Sequence, residues 1–221
     1  MRSLTSSISK SGTGSHDSIR ENQTLRKPFF DSNTMYLTTG QPKKIATALD
    51  YDRLPEGAPY QLIGGKLMLS PIPSFFHQNI VGELFAELHA FVRQYDLGKV
   101  VLSPMDVHLT VVDVYQPDLL FICKENLSQI NPNDRIRIVP DLVVEVLSPS
   151  TEEQDYVRKR MIYGECGVAE YWIVDPAEHT VEVLLNDQGR FERASFVKEP
   201  SELTSPMFPG FSMSLQKLFQ H

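Results

Sequence analysis

Hydrophobic residues change their spacing several times between Ile45 and the C-terminus, and each change marks an element. Tyr60-Gln61-Leu62-Ile63 and Lys66-Leu67-Met68-Leu69 flank Gly64-Gly65, which predicts a hairpin whose glycine pair supplies the positive φ of a two-residue turn. Pro71 and Pro73 end it. From Ser74 to about Tyr95 the apolar positions are Ile80, Val81, Leu84, Phe85, Leu88, Phe91, Val92 and Tyr95, a stripe at helical period. Ser74 is placed to cap that helix and Gly98 to stop it. β-rich runs follow at Lys99–Leu102, Val107–Val112 and Asp118–Ile122. Asp141–Leu147 is almost unbroken aliphatic sequence, which predicts a central strand covered on both faces. A helix is expected from about Thr151 to Cys166, opened by a capping box of Ser150 with Glu153 and closed by Gly167. Strands at Glu170–Val174 and Thr180–Leu185 come next. A turn at Asp187-Gln188-Gly189 then leads into Arg190–Phe196. The order α, several β, α, β predicts an α/β fold of the α+β kind, a mixed β-sheet flanked by α-helices.

The first forty residues break this pattern. Residues 1–40 hold eight Ser, six Thr and three Gly with few periodic apolar positions, too little to offset ordering entropy. Residues 1–44 are therefore expected to be a disordered extension and 45–221 one folded domain. Phe29, Phe30, Met35 and Tyr36 remain candidates for local docking. The extension carries five Lys+Arg against three Asp+Glu, +2, which leaves −9 for the remaining 181 residues out of the chain's total of −7. At 41% apolar and 22% charged, the chain has the composition of an ordinary globular protein. No run reaches the ~18 apolar residues of a membrane span. Cys123 and Cys166 are too few for a disulfide framework or a thiolate zinc site; as reduced thiols they suggest the cytoplasm. The acidity sits awkwardly with nucleic acid, whose binders usually carry a basic footprint.

Candidate chemistry lies at strand ends. Glu145 sits inside the long apolar run, where a carboxylate is costly to bury unless something pairs with it. A hard divalent cation is one such partner, because Mg²⁺ takes oxygen ligands and keeps several waters. Asp118 on a neighbouring strand and a carbonyl such as that of Val146 complete the donor set. Such a metal lowers the pKa of a water and offsets charge on a leaving oxygen. Asp155, Lys159 and Tyr163 fall at i, i+4 and i+8, one stripe on the helix after Glu145. That stripe can bring the Lys159 ammonium to the carboxylates. It can equally be an ordinary Asp155–Lys159 helix pair worth roughly 0.2–0.5 kcal/mol. For Asp118 a strand-start role stands beside metal binding, and for His77 packing or capping stands beside orienting a phosphate. Tyr163 is expected to pack on the sheet with its hydroxyl on a polar group, and Trp172 to be core. Arg158, Lys159 and Arg160, with Arg135 and Arg137, are either phosphate contacts or solvated charges.

Taken in order, Pro117-Asp118, Pro140-Asp141 with Glu145 and Ser148, Asp155 with Lys159 and Tyr163, and Gly167 through Glu170 and Trp172 to Asp175 resemble the Uma-type putative restriction endonuclease family. That family is similar to a branch of the PD-(D/E)XK nuclease superfamily. The Tyr60–Leu69 hairpin and Pro71, Pro73, Ser74 and His77 match its N-terminal part, and the resemblance spans about residues 46–219. It implies a restriction-endonuclease-like fold with Asp118 as the PD aspartate and Glu145 as the (D/E) position. Leu147 stands where the superfamily has lysine, so the resemblance implies that Lys159, from the following helix, supplies it. Gln61 stands where relatives often have Glu, and a neutral amide binds a divalent cation less strongly than a carboxylate.

Two functional readings follow. One is a Mg²⁺-dependent endonuclease, Mn²⁺ substituting, that hydrolyses DNA phosphodiester bonds: Asp118 and Glu145 bind metal, Lys159 positions water, and Gln61 and His77 are peripheral. The other is a catalytically silent nuclease scaffold that binds DNA or a protein. A third, structural reading makes Glu145 and Lys159 a buried ion pair. A cutter of both strands favours a two-fold homodimer, and DNA binding should be weak without metal. Nucleotide cradles, nucleophile elbows and zinc spacings are missing.

Overall fold

Gly64 and Gly65 turn the first hairpin with φ of +57° and +74°, left-handed values that glycine reaches without steric cost. They join β1 (Tyr60–Ile63) to β2 (Lys66–Leu69), with Gln61 opposite Met68. The structure is a computed structural model that describes residues 45–148 and 154–220. The N-terminal extension and the Ser150–Glu153 capping box lie outside those residues.

A short helix, α1 (Ala48–Tyr51), precedes the hairpin, held by a capping box between Thr47 and Asp50. The long helix α2 (Phe75–Gln94) begins where the pattern places it, with Ser74 Oγ accepting the His77 N–H at 3.2 Å. It stops earlier than Gly98. Asp96 takes a left-handed φ of +54°, a conformation Asp tolerates, and Gly98 already belongs to β3 (Gly98–Leu102).

The run Val107–Val112 is not one strand. It forms β4 (Val107–Thr110) and then turns at Val111-Val112 into a further strand, β5 (Asp113–Tyr115), and the cause is Asp113. Its side chain is 1% exposed. It accepts Gly64 N–H at 2.8 Å, Thr110 Oγ1 at 2.8 Å, Tyr115 OH at 2.9 Å and Arg158 Nη2 at 2.9 Å. A carboxylate with that many donors cannot remain in the outward half of an alternating strand, so the chain folds back around it. The resulting four-stranded sheet runs β2-β1-β5-β4.

The second sheet contains β6 (Leu119–Cys123), β7 (Leu142–Val146), β8 (Glu170–Asp175), β9 (Thr180–Asp187) and β10 (Arg190–Lys198), in the order β10-β9-β8-β7-β6-β3. Only β7 and β8 run parallel, because the helix α3 (Gln154–Cys166) crosses between them. All five residues of β7 are buried, as the unbroken apolar run requires. Leu142, Val144 and Val146 pack toward α2, and Val143 packs with Ile162 and Tyr163 of α3. Trp172 is core, its Nε1 donating to the buried Glu170 at 2.6 Å. A terminal hairpin, β11 (Glu202–Thr204) with β12 (Ser212–Ser214), and α4 (Leu215–Leu218) add Leu203, Phe208, Phe211 and Leu218 to the α2 side. No described helix is long and apolar enough to cross a membrane.

Asp113 ties the hairpin turn, β5 and α3 together. Asp113→Ala should lower unfolding free energy by about 3 kcal/mol, the lower end for breaking a buried pair, read from urea melts. Asp113→Asn, which keeps acceptor capacity, should lose less.

Candidate active site

Alternation along β7 turns Glu145 toward α3 while its neighbours Val144 and Val146 face α2. The Glu145 side chain is 11% exposed. Lys159 Nζ lies 2.9 Å from both of its oxygens, and Tyr163 OH donates to Oε1 at 2.8 Å. The spacing of Lys159 and Tyr163, one helical turn apart, puts both over the strand. The predicted stripe is therefore present at two of its three positions; the Asp155 side chain lies outside the described residues. Lys159 pairs with Glu145, so the buried ion pair read from the sequence exists. Burial pushes the Glu145 carboxyl above its ordinary pKa, with Lys159 opposing and Asp118 adding to the rise. Burial, then the Glu145 charge, hold the Tyr163 hydroxyl well above its usual range, so it stays a donor.

Asp118 arrives from the other side. Leu119 pairs with Val144, so one residue earlier Asp118 comes level with Glu145. Beyond that last pair the Val146 N–H has no β6 carbonyl to meet, and Asp118 Oδ2 accepts it at 2.8 Å. The strand-start role and proximity to Glu145 thus coincide. His77, in the first turn of α2, lies beside them. Its Nε2 is 3.1 Å from the Val146 carbonyl and 3.4 Å from Asp118 Oδ2. Facing two oxygens, Nε2 carries the ring proton, while Nδ1 is buried without a hydrogen-bond partner among the described residues. Burial depresses the His77 pKa, but the hydrogen bond and charge of Asp118, the Val146 carbonyl and Glu145 outweigh it, and the net shift is upward.

Gln61 is near but not in this cluster. Its Oε1 accepts Gln116 N–H at 3.0 Å, and its Nε2 donates to Ser70 Oγ at 3.4 Å, so it steadies the segment entering Asp118. Gln116, unmarked in the sequence, does the same from the opposite side: its Nε2 donates to Asp106 Oδ1 at 2.8 Å. Only the pairing of β1 with β5 reveals that layer.

The basic residues all have partners within the fold. Arg158 bonds Asp113, and Arg160 donates to the Phe191 carbonyl at 3.1 Å. Arg135 meets Asp106, and Arg137 meets Asp134 and Asp52. Three of the four guanidiniums, those of Arg135, Arg137 and Arg158, hold the fold's own carboxylates, and that of Arg160 holds a backbone carbonyl.

Among the described residues, no three His, Cys, Asp or Glu side chains converge as a metal-ligand set. The donors at the end of β7 are Asp118, Glu145 and the Val146 carbonyl, all oxygen. Lys159 and Tyr163 take about three of the four lone-pair sites of the Glu145 carboxylate, leaving roughly one on Oε2. Two carboxylates and a carbonyl fit a hard cation that brings its own waters.

A mixed sheet with a helix on each face and paired carboxylates at one strand end is the restriction-endonuclease-like nuclease architecture. Residues 48–216 match the Uma2 family, described as putative restriction endonuclease, and the chain belongs to that family. It is also similar to the crystal structure of a putative nuclease of DUF820 from Anabaena variabilis. The two are 26% identical with a TM-score of 0.64, over 78% of this chain and 97% of that one. No curated protein matches the chain significantly.

Removing Lys159 leaves an uncompensated buried carboxylate. Lys159→Met should cost about 3–5 kcal/mol at pH 8. Because the Glu145 pKa is raised in the native state, protonation favours folding: stability is present at low pH and lost as pH rises through the raised value. The deficit of Lys159→Met should therefore shrink at pH 5, and Glu145→Gln with Lys159→Met should recover most of it. Urea midpoints at the two pH values read both effects.

Proposed function

We propose that this chain is a metal-dependent endonuclease that hydrolyses DNA phosphodiester bonds, using Mg²⁺ with Mn²⁺ able to substitute. The observation that carries the reading is the convergence of Asp118, Glu145, the Val146 carbonyl and Lys159 at one end of β7. Membership of the Uma2 family supports it.

Asp118, Glu145 and the Val146 carbonyl would hold the cation. When bound, it supplies a water of lowered pKa and offsets charge on the leaving oxygen. The other contributions come from the chain. Lys159 is a fixed cation: with Glu145 on both its oxygens, its remaining donor capacity can orient the attacking water or meet charge building on the phosphoryl oxygens. Tyr163 prevents Glu145 from rotating away. His77 holds Asp118 and the Val146 carbonyl in one arrangement, and the N-terminal end of α2 beside it favours anions. Water oxygen then bonds to phosphorus and gives up a proton to solvent as the bond to the leaving sugar oxygen breaks, and that oxygen takes up a proton from solvent.

The catalytically silent alternative draws on Gln61, an amide where relatives often have a carboxylate. Cys123 and Cys166 are both unpaired, which suits a reducing cytoplasm.

Supercoiled plasmid with Mg²⁺ or Mn²⁺ should be nicked by the native chain and not in EDTA. Glu145→Gln, Asp118→Asn and Lys159→Ala should each lower the rate at least ~100-fold, the scale of removing one preorganised charge. Variants as active as the native chain would sink the proposal. Metal-dependent retention of DNA with no nicking by any form would favour the silent scaffold instead.

A further inference from the structure

Among the described residues, β2 is a sheet edge that lacks the usual protection. In the six-stranded sheet, the outer strand β10 carries Arg190, Glu192, Arg193 and Lys198, with a register shift between Arg193 and Ser195. Charges and bulges of that kind discourage edge-to-edge pairing. In the four-stranded sheet the far strand, β4, is covered: His108 N–H donates to the Ile136 carbonyl at 2.8 Å, and Ile136 N–H to that of Asp106 at 3.0 Å. β2, the other edge, presents Leu67, Met68 and Leu69 at 43%, 44% and 65% exposure. The apolar exposure continues past the strand with Ile72 at 95% and Phe75 at 88%. Lys66 is its one charge.

The backbone of β2 is equally available. Ser70 N–H donates to the Pro59 carbonyl at 2.9 Å. Hydrogen-bonded pairs alternate along an antiparallel ladder, so Lys66, Met68 and Ser70 turn their backbone groups toward β1. Leu67 and Leu69 turn theirs away from the sheet.

We propose that β2 pairs antiparallel with β2 of a second copy, about a two-fold axis through Met68. Leu67 then lies opposite the second copy's Leu69, and the two pairs related by the axis exchange four backbone hydrogen bonds. Met68 faces its own copy as a non-hydrogen-bonded pair, in which side chains come closest. Lys66 falls opposite Ser70, so no like charges meet. Neighbouring registers are worse. An axis at Leu67 sets Lys66 against Met68, and one at Leu69 sets Leu67 against Pro71, which has no N–H to give. Pairing covers Leu67, Met68 and Leu69 first, and Ile72 and Phe75, the next exposed apolar side chains along the chain, extend that surface toward the ~800 Å² per partner of a standard interface. The pairing stands apart from the proposed chemistry and does not depend on it.

Light scattering on the full chain should give twice the 25.1 kDa of one copy. Leu67→Lys with Leu69→Lys, both at exposed positions, should give a folded chain of half that mass. Met68→Cys should form an intermolecular disulfide under mild oxidation, because the paired Cα atoms of such a site are ~4.5 Å apart. Lys66→Cys, whose copies are offset along the strand, should not. A monomeric native chain overturns the proposal, as it would if residues ahead of Ile45 occupied this edge. So does a dimer that the double lysine variant leaves intact or that Met68→Cys fails to cross-link.

Discussion

An ionised carboxylate within a fully buried strand is the interaction around which the rest of this molecule is arranged. Taking Glu145 out of water costs several kcal/mol even after relaxation, and the neighbours Val144 and Val146 contribute only apolar side chains to meet it. The offset must come from across the sheet, and it comes from α3, where Lys159 and Tyr163 reach the same carboxylate. That requirement fixes the rotation of α3 about its own axis. Adjacent residues on a helix point about 100° apart, so once Lys159 faces β7, Arg158 faces the four-stranded sheet and closes on Asp113. One helix thereby grips both sheets through consecutive cations.

The same economy governs Asp118. A strand that outruns its partner leaves a backbone donor exposed, and burial makes an unpaired donor expensive. Asp118 answers the Val146 N–H, and His77 answers the Val146 carbonyl. Every group that would hold a cation thus already satisfies part of the fold. Substitutions here are therefore expected to change stability as well as the proposed activity, so rate measurements on these variants need folding measurements beside them.

Much of this was legible in the residues. The helix from Ser74, the hairpin at Gly64-Gly65 and the buried strand around Glu145 all follow from local period and turn chemistry, and the structure has them. Glu145 announces itself because a charge in an apolar run has no solvated explanation. What stayed hidden depends on partners far away in sequence. Val111 and Val112 look like strand until Asp113 is seen collecting Gly64 and Arg158. Gln116 has no local pattern at all. The arginines read as free because the aspartates they serve are distant: Arg135 to Asp106 and Arg137 to Asp52.

Those pairings bear on how an acidic chain approaches a polyanion. Residues 41–221 carry a surplus of nine negative charges, and four of their arginines already have internal partners. Phosphate binding by counterion release draws on cations free to replace the counterions, and these four arginines are already shared with partners inside the fold. At the end of β7 the chain offers instead the Lys159 ammonium on the Glu145 carboxylate, with the Asp118 carboxylate just ahead of the neighbouring strand. Under the proposed function, a divalent cation held there would invert the local sign and favour contact with one phosphate over a long stretch of backbone. The residues that would hold the cation would therefore also set where nucleic acid is gripped, at the same strand end where hydrolysis is proposed.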